Sequence, residues 1–266
     1  MMRGRRTVIA RRMLTTVLVC TQTFAVLMFV TACASTQSPT IVAQVDDGCL
    51  PYAPDMRAGD HFMIDAERLH PTQPSLSFRE VDWRTGILNG MSQEQVAANV
   101  RTNPPQVIIG PGGVAYLTDA HHTMRAILDS KHADKRVCGV IVQNWSDLSE
   151  DAFWARMQAT HNVYLRDGQD QRITPAQLPA SLRDSQSDPY RGLTWMVGSR
   201  GGFTARSDVF FQEFYWGEYF RKHIRWNDAD DAEFEDAVQR ALKLAHEPEA
   251  SKLPGYIPAP VPANTK

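Results

Sequence analysis

The most restrictive feature of this chain is a pair of short apolar runs, Gln106 to Ile109 and Val114 to Leu117. They are joined by Gly110-Pro111-Gly112-Gly113 and followed at once by a helix-forming stretch. Two strand-like runs around a glycine-rich turn specify a β-hairpin, because glycine takes positive φ without steric cost. A hairpin that leads straight into an amphipathic segment calls for a helix packed on the same sheet. Thr118 is expected to cap that helix, which extends to about Ser130 with Ala120, Met124, Ile127 and Leu128 as its buried stripe.

The rest of the pattern surrounds this unit. Residues 60–66 read as a strand, and Pro71 and Pro74 then interrupt regular structure. Ser92 opens a helix with Gln95 at the capping-box position and Val96, Ala97 and Val100 on its apolar face, and Pro104-Pro105 stops it. Val137 to Gln143 is a buried strand. Ser149 starts a helix ending near Asn162, and Thr174-Pro175 with Gln177 marks another start. Residues 207–225 carry seven aromatic side chains on a helix packed into the fold or an interface. Asn227 caps a last helix with Phe234, Ala237, Val238, Ala241, Leu242 and Ala245 on one stripe. This is an α+β class: a small mixed sheet with packed helices, plus C-terminal helices. The domain is expected over 59–246. Residues 247–266 hold five prolines without periodicity and read as a disordered tail or extended arm.

The N-terminus carries an address. Residues 3–12 are basic, residues 13–30 carry no charge and are largely apolar, and Val30-Thr31-Ala32-Cys33 follows. That order describes a signal peptide over 1–32. A Cys after small residues resembles the bacterial lipobox, which implies a diacylglyceryl group on Cys33 and an acylated N-terminus. Such a protein partners the membrane through its lipid chains and faces the periplasm or resides at the outer membrane of the bacterial envelope. Residues 33–58, which open on a Ser/Thr/Pro-rich run, then form a tether. The competing reading is one uncleaved membrane-spanning helix, which the polar Thr21-Gln22-Thr23 weakens.

Removing residues 1–32 changes the charge. The whole chain has 28 Lys+Arg and 30 Asp+Glu. Losing the five arginines of the leader leaves 23 bases against 30 acids, a net of -7. Such a domain is a poor partner for duplex DNA, whose nonspecific affinity comes from Lys and Arg on phosphates. Of the four cysteines, Cys20 leaves with the leader and Cys33 is lipidated. Cys49 and Cys138 remain in an oxidising compartment, where an even pair is expected as a disulfide. No Cys-x-x-Cys or Cys/His metal spacing exists, which excludes a zinc ribbon or a dithiol redox motif.

One segment concentrates chemistry: Thr118-Asp119-Ala120-His121-His122-Thr123-Met124-Arg125. It places a carboxylate, two imidazoles and a guanidinium at a helix N-terminus, where free N–H groups and the helix dipole favour anions. With the stripe buried, His122 is expected to point away from the core, and His121 and Arg125 share a flank. Asp119, His121 and His122 are the candidate catalytic residues, the histidines moving protons and Asp119 orienting them. Arg125 and Thr118 are candidate substrate-binding residues, with Arg125 as a two-point anion clamp. The competing reading is ordinary dipole compensation by Asp119 with solvated His and Arg side chains. Zinc is disfavoured, since adjacent histidines diverge by about 100° on a helix; other divalent cations are left open as cofactors.

Several motifs in order resemble one family. They are His70-Pro71-Thr72-Gln73, Phe78-Arg79-Glu80-Val81, Leu117 to Thr123, Asp188-Pro189-Tyr190-Arg191-Gly192-Leu193, Gly201-Gly202-Phe203, and Phe211-Gln212-Glu213-Phe214-Tyr215-Trp216. Together they span about residues 60–225 and resemble the ParB-like nuclease family of the ParB/sulfiredoxin superfamily. The resemblance implies a compact α+β core whose His-containing turn grips the phosphates of a nucleotide in relatives. It also places Thr72 and Gln73 on the substrate side of the pocket. The family pattern is Asp-Gly-His-His, whereas this chain has Ala120 in place of the glycine.

Location narrows the function. A periplasm-facing lipoprotein meets essentially no ATP or CTP, so a kinase, CTPase or partition role is hard to sustain. Two classes remain. One is a nuclease-like hydrolase or phosphotransferase acting on a phosphate-containing small molecule or nucleic-acid fragment. The other is a non-catalytic lipoprotein binding an anionic ligand or a protein partner.

Overall fold

The computed structural model describes residues 48–206 and 208–260. The leader, Cys33 and residues 33–47 of the tether lie outside these. Among the described residues no helix is long and apolar enough to cross a membrane.

Six strands form one mixed sheet: β1 (Leu50–Pro51), β2 (His61–Asp65), β3 (His70–Pro71), β5 (Gln106–Ile109), β6 (Ala115–Leu117) and β7 (Arg136–Asn144), in the order β1-β2-β7-β5-β6-β3. β5 and β6 make the expected antiparallel hairpin, pairing Val107 with Leu117 and Ile109 with Ala115. Its turn uses Gly112 and Gly113 at φ 69° and 74°, a region that side chains with a Cβ enter only with strain. β2 runs antiparallel to β7, while β7 runs parallel to β5 and β3 parallel to β6. A second, two-stranded sheet pairs β4 (Ser75–Leu76) with β8 (Gln186–Ser187).

Alternation along β5 sets the layers. Val107 and Ile109 face a core shared with α1 (Phe78–Asn89), α2 (Gln93–Thr102) and α3 (His121–Asp129). Ile108 faces the other way, onto Phe153 and Met157 of α4 (Glu150–Ala159). A third apolar cluster joins α5 (Pro189–Ser199), α6 (Gln212–His223) and α7 (Asp231–Ala245), with Trp216, Phe220, Leu193 and Val238 at its centre. The helix-rich α+β architecture expected from the pattern is therefore present.

Local signals account for most boundaries. Ser92 and Gln95 form a capping box at the start of α2, and Ser149 caps α4 by accepting from the Ala152 N–H. Two helices were not expected, although each carries a start signal. Ser77 accepts from the Glu80 N–H ahead of α1, and Asp188 followed by Pro189 opens α5. The start expected at Thr174 is only a three-residue 3-10 turn, Pro175–Gln177, despite its capping box. The last helix starts later than Asn227. Asp230 caps it, accepting from the Ala232 and Glu233 N–H groups, while Asn227 closes a turn with Ala229.

Both domain boundaries need correction. Cys49 and Cys138 are joined by a disulfide across 89 residues, with Cα atoms 6.0 Å apart. Strand β1, buried Met56 and the Tyr52 hydroxyl, which donates to the Gly113 carbonyl at 2.8 Å, also belong to the fold. The domain therefore includes at least residues 48–58, which had been expected as tether. At the other end, residues 247–257 are not disordered. A 3-10 turn (Pro248–Lys252) buries Ala250, and Tyr256 bridges to Phe203. Trp216 Nε1 and Gln212 Nε2 both donate to the Pro254 carbonyl, at 2.8 and 2.9 Å. Proline rigidity here suits an extended strap whose carbonyls are satisfied by side chains. Gly255 is required at the dock: it sits at φ +75°, and a Cβ there would lie 2.0 Å from the Thr204 carbonyl oxygen.

Candidate active site

The start of α3 differs from expectation, and the difference shapes the site. Thr118 does not cap the helix, because it is still spent on the sheet: its N–H and hydroxyl both reach the Gln106 carbonyl, at 2.9 and 3.3 Å. The chain then turns at Ala120, which occupies the N-cap position in the left-handed region at φ 66°. Asp119 stabilises that turn, its Oδ1 accepting from the Ala120 N–H at 2.7 Å. A Cβ in this region costs about 1–2 kcal/mol relative to the right-handed region, and glycine avoids most of that cost. Ala120→Gly should therefore raise the stability by about 1 kcal/mol, read as a higher urea midpoint at unchanged slope. A lower midpoint would show that the turn carries no strain.

With the helix starting at His121, its buried positions are His121, Met124, Ala126, Ile127 and Leu128. His121 is only 4% exposed. Its Nε2 accepts the Thr72 N–H at 3.2 Å, and the Thr72 hydroxyl donates to the Leu117 carbonyl at 2.8 Å. Burial, followed by the neighbouring His122 and the Arg191 charge, pushes the His121 pKa down to about 3.

His122 lies off the buried stripe, but it is not open to solvent. Its side chain is 12% exposed, and its Nε2 accepts the Ser77 N–H at 3.0 Å. The approach of residues 72–77 over the helix start encloses it. Burial and the nearby Arg191 and Arg84 charges hold its pKa well below the ordinary imidazole value. Glu80 lies 3.7 Å from His122 Nε2 through one oxygen. The other oxygen receives Arg84 Nε and Nη2 at 2.8 and 2.7 Å.

Arg125, expected as an anion clamp, does not line the cleft. Its Nε donates to Asp129 at 2.8 Å, and its Nη1 donates to the Leu182 and Arg183 carbonyls at 3.0 and 3.2 Å. Its guanidinium also lies over the Phe78 ring, 5.2 Å from the centroid. It fastens α3 to the 3-10 turn at Leu182–Asp184, away from the cleft.

The cleft itself has a volume of ≈ 910 Å3, and its lining includes Thr118, Asp119, Ala120, His121, His122 and Gln73. Thr72 stands just behind, fully buried. The structure thus gathers every candidate catalytic or substrate-binding residue except Arg125 around the cleft or directly behind it. The opposite wall was not expected. It comes from α5 and the segment entering α6, with Arg191, Thr194, Trp195, Phe210, Glu213 and Phe214.

Arg191 is the guanidinium that faces this space. It is 9% exposed, and its Nε and Nη1 donate to no group among the described residues. Its Nη1 lies 3.6 Å from Glu213, beyond a good hydrogen bond, and its guanidinium sits 4.0 Å over the Phe214 ring. A buried cation with two unspent N–H groups is costly unless something supplies acceptors. Arg84 is the second guanidinium on the lining. Arg191 stood within the motif Asp188 to Leu193, but 69 residues separate it from His122. Only the packing of α5 against α1 and α6 brings the two together.

Among the described residues, Cys49, His61 and Cys138 are close enough to share an ion. Their two sulfurs are bonded to each other, so this group offers no thiolate.

Comparisons with known proteins bear on the family and the fold. A family model described as "Putative ParB-like nuclease" matches residues 62–222, more than half of the chain. The crystal structure of protein Atu1540 from Agrobacterium tumefaciens is similar at 29% identity with a TM-score of 0.67, covering 77% of this chain and 100% of that one. No curated protein matches. The match extends from β2 to the end of α6 and includes both walls of the cleft. The chain therefore belongs to the ParB-like nuclease family.

Proposed function

We propose that the cleft binds a phosphate-bearing substrate and that the domain is a nuclease-like phosphoester hydrolase held at the bacterial envelope by a lipid on Cys33. The observation that carries this reading is Arg191: a buried guanidinium with Nε and Nη1 unspent, on the wall opposite the start of α3. A guanidinium on the lining offers a phosphate charge-assisted N–H donors. The His121/His122 end of α3 supplies further polar groups, and Asp119, on the open side of the lining, is the carboxylate placed to accept a proton.

The test is binding of inorganic phosphate and of short nucleotides, with and without divalent cations, alongside phosphodiester turnover. Arg191→Gln should weaken binding at least tenfold, the equivalent of a charged hydrogen bond of about 1.5–3 kcal/mol. Binding equal to that of the parent would sink the phosphate site. A second reading, a binding protein without turnover, is favoured by one observation: both histidine Nε2 atoms are already occupied by backbone N–H groups. Arg191-dependent binding without hydrolysis of any tested ester would select it.

The lipid anchor rests on the leader and the residues before Cys33, and the Cys49–Cys138 disulfide suits an exported protein. Cys33→Ser should abolish acyl labelling and release the protein from membranes. Retention with an uncleaved N-terminus would favour a membrane-spanning helix.

A further inference from the structure

His121 and His122 are each held by one backbone amide from the segment that crosses the start of α3. Thr72 N–H donates to His121 Nε2, and Ser77 N–H donates to His122 Nε2. A peptide nitrogen can only donate, and an imidazole nitrogen that accepts carries no proton. Each ring that keeps its amide therefore holds a single proton, on Nδ1.

We propose that His122 serves the cleft as a neutral hydrogen-bond donor through Nδ1–H, locked in that tautomer by the Ser77 amide, and is neither a general base nor a cation at neutral pH. The proposal rests on the phosphate-site reading for its ligand, but the tautomer stands on the geometry alone. His121 is a positioning residue under the same lock, tying α3 to the Thr72 segment.

The groups facing His122 from each packed element agree with a neutral ring. On α1, Glu80 is an acceptor that could draw a proton onto Nε2. Its nearer oxygen lies 3.7 Å away, and its other oxygen already receives two bonds from Arg84. Arg84 itself and, from α5, Arg191 are cations that oppose a further positive charge. From α6, Glu213 is directed at Arg191. On α3, His121 is buried beside it. The charge of a bound anion then falls to Arg191, while His122 adds direction without charge. Any proton abstraction in the cleft belongs to a carboxylate.

The experiment reads the side-chain nitrogens of the purified chain by long-range proton–nitrogen correlation between pH 5 and 8, without ligand. The expected pattern for His122 is the Nδ1–H tautomer, unchanged across the range. An Nε2–H pattern, or a ring that titrates within it, overturns the proposal. Binding of sulfate, whose charge is constant over these pH values, should be flat, whereas affinity that rises more than about threefold toward pH 5.5 would show a cationic histidine. His122→Asn, with an amide nitrogen near the Nδ1 position, should bind sulfate nearly as the parent does. His122→Gln reaches the Nε2 position instead and should lose about tenfold. The reverse order counts against the proposal. If Arg191→Gln leaves sulfate binding unchanged, the phosphate-site reading fails, while the tautomer remains decided by the spectra.

Discussion

Reducing the Cys49–Cys138 disulfide should lower the stability of the domain by about 4 kcal/mol. The bridge spans 89 residues, and closing so long a loop removes that much entropy from the unfolded chain in polymer estimates. The native state loses little contact area of its own. β1 is only two residues long and sits at the sheet edge next to β2, so the bridge to β7 is its main covalent restraint. Urea unfolding with and without reductant measures the difference. Thiol labelling of unreduced, unfolded protein should find neither Cys49 nor Cys138. Labelling of both would overturn the pairing, and a stability loss under about 1 kcal/mol would mean the unfolded chain is already restrained elsewhere.

Trp216→Ala should cost about 3–5 kcal/mol and free the C-terminal strap. Trp216 is fully buried and stacks on Phe203 with ring centroids 4.7 Å apart and planes within 10°. Its Nε1 donates to the Pro254 carbonyl at 2.8 Å. The substitution opens a cavity among α5, α6 and α7 and leaves that carbonyl with Gln212 alone. Two readouts are expected together: a lower unfolding midpoint and limited proteolysis within residues 247–257 under native conditions. Trp216→Phe keeps most of the apolar volume but lacks the N–H, so it should lose less stability while still loosening the strap. A strap as protease-resistant in Trp216→Ala as in the parent would show that it docks through Tyr256 and Ala250 alone.

These two sites also divide the readable from the unreadable. The disulfide was legible by elimination, on the expectation that Cys20 leaves with a leader and Cys33 carries a lipid. The strap was not. Prolines without periodicity look the same whether the segment is loose or its carbonyls are held by side chains such as Trp216 and Gln212, 38 and 42 residues away.

Features that depend on neighbours along the chain could be read before folding was known. The β5–β6 hairpin follows from its glycines, α2 from its capping box and α7 from its stripe, because turns, caps and periodicity act over a few residues. The missed α1 and α5 belong here too, since Ser77-x-x-Glu80 and Asp188-Pro189 are local signals. The composition of the cleft depends on contacts between residues far apart in the chain. Thr118 was drawn into the sheet by the Gln106 carbonyl, which moved the helix start to His121 and left Ala120 outside the helix, while Met124, Ile127 and Leu128 kept the expected stripe. His122 was enclosed by the Ser77 amide, 45 residues earlier. The choice between Arg125 and Arg191 as the guanidinium in the cleft turned on which one found carbonyls to satisfy it. Arg125 met Leu182 and Arg183 where α3 packs on their turn. Arg191 met the Phe214 ring and kept two donors free. A guanidinium's role is set by the acceptors that folding brings within reach, and for both arginines those acceptors depend on long-range packing.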